Sequence, residues 1–252
     1  FMGEKLKDRF GRTFPYIRLS ITDVCNFKCG YCLPNGYFKP NNHPGFLNIS
    51  EIENLVNGLS DLGVSKIRVT GGEPTVRKDF FDVMKLIKAK EGIKKLVVTT
   101  NGYKLDKLAE RFLETGVDGI NISIDSLDRN KFKEITGHDR LPEILEGIKI
   151  LQSKGFHNIK VNAVLLKNIN DTKEEFDRWE EFINNNKINF RYIELMQTGD
   201  NLDYFKRYHQ SAKVFREYIE SKGWKNIDRA RDDGPALNYI NESTKGKFGV
   251  IA

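Results

Sequence analysis

Residues 16–34 read YIRLSITDVCNFKCGYCLP, and their reading decides the fold. The first seven, rich in β-branched and aromatic side chains, form a candidate strand (16–22). They run into a loop holding every cysteine of the 252-residue chain: Cys25, Cys29 and Cys32. Three clustered thiols and no others do not make a disulfide framework, which points to a reducing compartment. Thiolates this close favour an iron–sulfur cluster or zinc. A structural zinc ion wants four ligands. None of His43, His138, His157 or His209 stands at a convincing spacing to be the fourth. A [4Fe–4S] cube on three cysteines keeps one iron open, which ligand binding or catalysis requires.

Beyond this loop, β-rich runs alternate with helical ones. Further strands are predicted at 64–70, 94–100, 118–125, 157–166 and 188–195. Helices are predicted between them. The first begins with a capping box, Ser50 with Glu53, and ends at Gly63. Others run from Asp79 to Gly92, over 105–116 with Leu105, Leu108, Phe112 and Leu113 on one face, over 141–155 and over 171–186. This alternation means βαβ units and a parallel sheet. The expected fold is α/β: a partial (β/α)6 barrel, TIM-like, with a C-terminal extension. Residues 1–195 form the barrel and 196–252 the extension packed on it. The extension reads as a loop-rich stretch (196–210), a helix over 211–223 and a hairpin, ALNYI–NESTKG–KFGVIA. In a barrel the strand C-termini form the active face, so a cysteine loop after the first strand is well placed.

Composition sets the bounds. Hydrophobic residues make up 39% of the chain, enough for a large core, and no apolar run is long enough to span a membrane. FMGEKLKDRFGR has no apolar segment of the signal-peptide kind. Phe1 stands before Met2, an order that suggests a tag remnant. The net charge of +6 fits a solvated lysine-rich surface as well as an anionic partner.

Two short motifs close strands. GGEP (71–74) follows the second; its glycines permit close backbone approach, and alone it reads as a turn. TTNG (99–102) ends the third with hydroxyl and amide groups in a strong turn sequence. Four strands also carry a cation among apolar neighbours: Arg18, Arg68, Lys160 and Arg191. An unpaired buried cation costs several kcal/mol, so each needs a carboxylate or an anionic ligand. Glu73, Asp125 and Glu194 are the internal candidates. Four cations on different strands, able to converge on one lumen, favour a polyanionic substrate such as a nucleoside triphosphate.

With C-x3-C-x2-C and Tyr31 before the last cysteine, the sequence resembles the radical S-adenosylmethionine (SAM) family. Several stretches narrow the resemblance: DRFGRTFPYIRLSITDVCNFKCGYCLP, GVSKIRVTGGEPTVRKDF, TTNGYKL, INISIDSLD, FKEITGHD, KVNAVLLKNIND, FRYIELMQTGDN, Gly234-Pro235-Ala236 and KFGVI. Together they resemble the MoaA-type GTP 3′,8-cyclases, a lyase family that starts molybdenum cofactor synthesis. Val24 and Leu33 stand where the family more often has arginine and methionine.

The resemblance implies a [4Fe–4S] cluster on Cys25, Cys29 and Cys32, with SAM on its open iron. It implies SAM contacts from Tyr31, Gly72, Ser123 and Met196, with Asp125 near Ser123. It implies GTP contacts from Arg18, Arg68, Thr99, Lys160 and Arg191. The family's radical takes the ribose C3′ hydrogen of GTP, and C3′ then bonds to C8, giving (8S)-3′,8-cyclo-7,8-dihydroguanosine 5′-triphosphate. The implied partners are GTP, an external electron donor and the next enzyme of the molybdopterin pathway. A homodimer fits, a membrane or nucleic acid does not, and the implied location is cytoplasmic. The family also carries a second [4Fe–4S] cluster on a later cysteine triad. That triad is absent up to Ala252, so a further segment is expected. Two other readings stay open: a radical SAM enzyme with another substrate, such as a peptide, and a non-enzymatic iron–sulfur or zinc protein that binds nucleic acid. No nucleic-acid motif supports the last.

Overall fold

The computed structural model describes residues 5–198, 201–227 and 236–252. Phe1, Met2, Gly199, Asp200, Gly234 and Pro235, which entered the sequence reading, lie outside them. Six strands run in chain order: β1 (Tyr16–Ser20), β2 (Lys66–Thr70), β3 (Lys95–Thr100), β4 (Gly119–Ser123), β5 (Ile159–Leu165) and β6 (Asn189–Glu194). Each pairs in parallel with the next. The predicted strands are therefore present, trimmed at their ends.

A parallel sheet covered on both faces reads as continuous apolar runs. These strands alternate instead. Ile67, Val69, Leu96, Val98, Ile120, Ile122, Val161, Phe190 and Tyr192 are buried under the helices. The positions between them, among them Arg18, Arg68, Thr99, Ser123 and Arg191, line a cavity on the inner face. The period of two follows from a sheet with one dry face and one open lumen.

The covering helices are α1 (Ile49–Asp61), α2 (Phe80–Ala89), α3 (Leu105–Glu114), α4 (Arg129–Thr136), α5 (Leu141–Ser153) and α6 (Lys173–Asn186). The capping box of α1 lies two residues earlier than the sequence suggests. Asn48 accepts from the Glu51 N–H, and Glu51 accepts from the Asn48 N–H. Helix α4 was not among the predicted helices. Its signal is Asp128, whose carboxylate accepts from the N–H groups of Asn130 and Lys131.

After β6 come α7 (Leu202–Tyr208), inside the stretch read as loop, then α8 (Lys213–Ser221) and β7 (Lys225–Ile227). The expected hairpin is β8 (Leu237–Ile240) with β9 (Phe248–Ile251), antiparallel. Strand β9 also lies parallel to β6, so the extension continues the barrel's sheet. The order β1-β2-β3-β4-β5-β6-β9-β8-β7 leaves β1 and β7 as edges. The barrel is partial and open, and no described helix is long and apolar enough to cross a membrane.

Candidate active site

The cysteine loop leaves the C-terminal end of β1 and is held from four sides. Against the GGEP turn, Gly72 N–H donates to Thr22 O at 2.8 Å and Glu73 N–H to Val24 O at 2.7 Å. A Cβ on Gly71 would collide with the Thr22 carbonyl, and one on Gly72 with the Val24 and Asp23 carbonyls. The paired glycines are thus what lets the loop seat here.

From β3, Asn101 donates to Asn26 Oδ1 at 2.8 Å, with its amide nitrogen 4.0 Å from Cys25 Sγ. At the end of α4, Thr136 O and Ile135 O accept from the N–H groups of Lys28 and Gly30. Phe27 anchors the same face, buried edge-on to Tyr103 and Phe132 and stacked on His138. From α7, the Tyr204 ring lies where a side chain on Gly30 would be.

The carboxylate of Glu73 is buried beneath the loop. It accepts from Thr75 N–H and hydroxyl, the Thr100 hydroxyl and Asn101 N–H, at 2.6–3.1 Å. Burial pushes its pKa up, against the pull of those donors. Asp125, also buried, accepts from Tyr31 Oη at 3.0 Å and Val164 N–H at 2.8 Å. Burial raises its carboxyl to about 6. Glu194 accepts from His209 and Ala212 N–H. The three carboxylates that the sequence offered as candidate partners of the strand cations are thus engaged by neutral donors and a histidine, Glu73 and Asp125 being committed to holding loops.

The thiols suit a metal cluster. Burial pushes all three upward, Cys29 well above the usual thiol range; Asp125, Cys25 and Cys32 add to the shift of Cys29, and Glu73 and Cys32 to that of Cys25. Such thiols are poor free nucleophiles and need metal charge to stay deprotonated. Among the described residues, no three His, Cys, Asp or Glu side chains converge on a single ion.

Below the loop is a cavity of about 200 Å³. Tyr31, Ser123 and Asp125 line its loop end; Arg18, Arg68, Thr99 and Arg191 line the rest. Lys160 belongs to a smaller neighbouring cavity of about 110 Å³, which shares Arg191 with the first. Burial, then the charges of Arg191, Arg68, Lys66 and Lys95, hold Lys160 down at about 8. Arg68 and Lys66 also lie over the Tyr16 ring.

Gly72 is beside the loop, with its N–H committed to Thr22. Met196 is 70% exposed, so it is not a core methionine and does not line the cavity. Residues not picked from the sequence also face inward: Thr70 and Asn162 in the cavity wall, Asn121 on β4, and Lys66 and Lys95 among the cations. Their signal was the two-residue alternation with Arg68, Thr99, Ser123 and Lys160.

Comparisons with known proteins agree. Residues 19–183 match the family model of the Radical SAM superfamily. A GTP 3′,8-cyclase of Mannheimia succiniciproducens is 45% identical over 247 residues, covering 98% of this chain and 73% of that protein. One from Stenotrophomonas maltophilia is 46% identical over 248 residues, covering 98% and 75%. Among solved structures, Streptococcus suis SuiB bound to S-adenosylmethionine matches with a TM-score of 0.67 at 21% identity, over 82% of this chain and 46% of that one. A radical SAM methyltransferase from Sphaerobacter thermophilus matches at 0.64 and 14% identity, over 85% and 67%. These two show the shared fold. Radical SAM membership implies a [4Fe–4S] cluster and SAM as cofactors. The chain belongs to the radical SAM superfamily and, within it, to the GTP 3′,8-cyclase family.

Proposed function

We propose that this chain is a GTP 3′,8-cyclase whose cysteine loop carries the SAM-binding cluster and whose inner cations hold the triphosphate. The observation that carries this reading is the shared cavity: Arg18, Arg68 and Arg191 line the space that Tyr31 and Ser123 reach from the cluster side. When bound, the cluster and SAM supply the one-electron cleavage that starts radical chemistry at the ribose.

The chain's residues do the rest. Cys25, Cys29 and Cys32 ligate three irons. Tyr31, Gly72, Ser123 and Met196 hold SAM, with Asp125 fixing Tyr31. Arg18, Arg68 and Arg191 offer planar forks to phosphate oxygens, Lys160 adds a point charge and Thr99 a hydroxyl. Holding the ribose C3′ near the cofactor end turns a bimolecular encounter into an oriented one, which can lower a barrier by several kcal/mol.

The reaction class is a lyase. It needs an external one-electron donor and releases a product for the next molybdopterin enzyme. A homodimer and a cytoplasmic location complete the proposal, the latter fitting three free thiols. The family's second cluster needs three further cysteines. This sequence has three in all, so the proposal rests on the first cluster. The test is anaerobic reconstitution with dithionite, SAM and GTP. GTP-dependent 5′-deoxyadenosine and a cyclised nucleotide are expected; none of either would overturn the reading.

A further inference from the structure

Asn121 is only 4% exposed, and its Nδ2 is buried without a hydrogen-bond partner. Ser123, two residues on, lines the cavity, so the strand period turns Asn121 to the same face. Across the sheet it is in register with Thr99 on β3 and Lys160 on β5. Two more inner-face polar atoms lack partners: Nε of Arg68 and Oδ1 of Asn162. A buried polar group without a partner is destabilising and rare in folded proteins.

Two of these three atoms are donors, beside a group of cations, and the nearby carboxylates Glu73, Asp125 and Glu194 are engaged elsewhere. Unused donors in a positive setting call for anionic oxygen. An amide suits the place, because it adds a directional donor without adding to the repulsion among Lys160, Arg68, Lys66 and Lys95.

We propose that Asn121 is a phosphate-binding residue whose carboxamide donates to an oxygen of the bound triphosphate, between Thr99 and Lys160. The inference rests on the GTP reading above. It also explains why β4 keeps an orphaned amide in the row between Thr99 and Lys160: the strand gives up stability when empty and recovers it with nucleotide.

The cluster-loaded protein and its Asn121→Asp and Asn121→Leu variants can be titrated calorimetrically with GTP, GDP, GMP and SAM, and melted without nucleotide. Asn121→Asp removes the donor and adds a negative charge facing phosphate. GTP affinity should fall about tenfold or more, GDP less and GMP least, as expected for a lost hydrogen bond to a charged group. SAM affinity should stay within about twofold. The free Asp variant should melt no lower than wild type, because its carboxylate faces cations. Asn121→Leu keeps the volume, relieves the orphaned donor and should also lose GTP affinity without melting lower. Unchanged GTP affinity in either variant, or equal losses for GTP and SAM, would overturn the assignment. If wild type binds GTP and the variants match it, only this assignment falls; if wild type binds none, the GTP reading falls with it.

Discussion

The hydroxyl of Tyr31 donates to Asp125 Oδ2 at 3.0 Å, while Oδ1 of the same carboxylate takes the Val164 N–H at 2.8 Å. One buried side chain thus ties the cysteine loop to the end of β4 and to β5. The position of that loop and the shape of the lumen are set by a shared group.

Replacing Tyr31 with Phe should therefore affect more than the loop. It leaves a buried carboxylate short of a donor, which costs about 1–3 kcal/mol. Denaturant unfolding should show that loss, and SAM affinity should fall while the iron content per chain stays near wild type. Unchanged stability would mean that the bond contributes little.

Replacing Cys29 with Ala removes one of three ligands from the proposed cluster. Anaerobic reconstitution should then yield little iron and sulfide, and the broad visible absorption of the cluster should vanish. A normal spectrum would show that the metal binds elsewhere.

Lys160 gives a pH test with opposite signs for binding and folding. Its pKa in the free protein is held at about 8, below the ordinary 10.5. GTP affinity should be highest below that value, where the ammonium is charged, and fall as pH rises through it. Stability of the nucleotide-free protein runs the other way. Between about 8 and 10.5 the unfolded chain binds the extra proton, so this residue's contribution to stability grows with pH. Lys160→Met should raise the melting temperature of the free protein at neutral pH and weaken GTP about tenfold or more, the scale of a lost contact to a charged group. A lower melting temperature with equal losses of GTP and SAM would point to misfolding instead.

Gly249 on β9 lies in register with Arg191 on β6. A Cβ there would sit 3.3 Å from both Cγ and Nε of Arg191, closer than ordinary contact. Gly249→Val should push the guanidinium aside and reduce GTP affinity several-fold with SAM affinity kept. Equal affinities for wild type and variant would show that Arg191 can give way without loss.

Much was legible before folding. The cysteine spacing pointed to the ligand set proposed above, because it lies within one loop. The strands and most helices followed from side-chain period and caps, which act over a few residues. Helices α4 and α7 were missed. Helix α4 has a sound cap at Asp128 but spans only Arg129–Thr136, and α7 covers Leu202–Tyr208, too short for a clear period. The distant partners of Glu73, Asp125 and Glu194 were also missed, since Thr100, Tyr31, Val164 and His209 are groups that local pattern does not bring to them.

What the amino-acid sequence determined alone is short in range: three thiols in one loop, paired glycines after β2, and polar residues at alternate strand positions. What only the tertiary structure decided is which of these meet. Strand pairing set Asn121 between Thr99 and Lys160, and β9 beside β6. Those neighbours come from segments far apart along the chain, and only closing those long loops, against their entropy cost, fixes which side chains share the lumen.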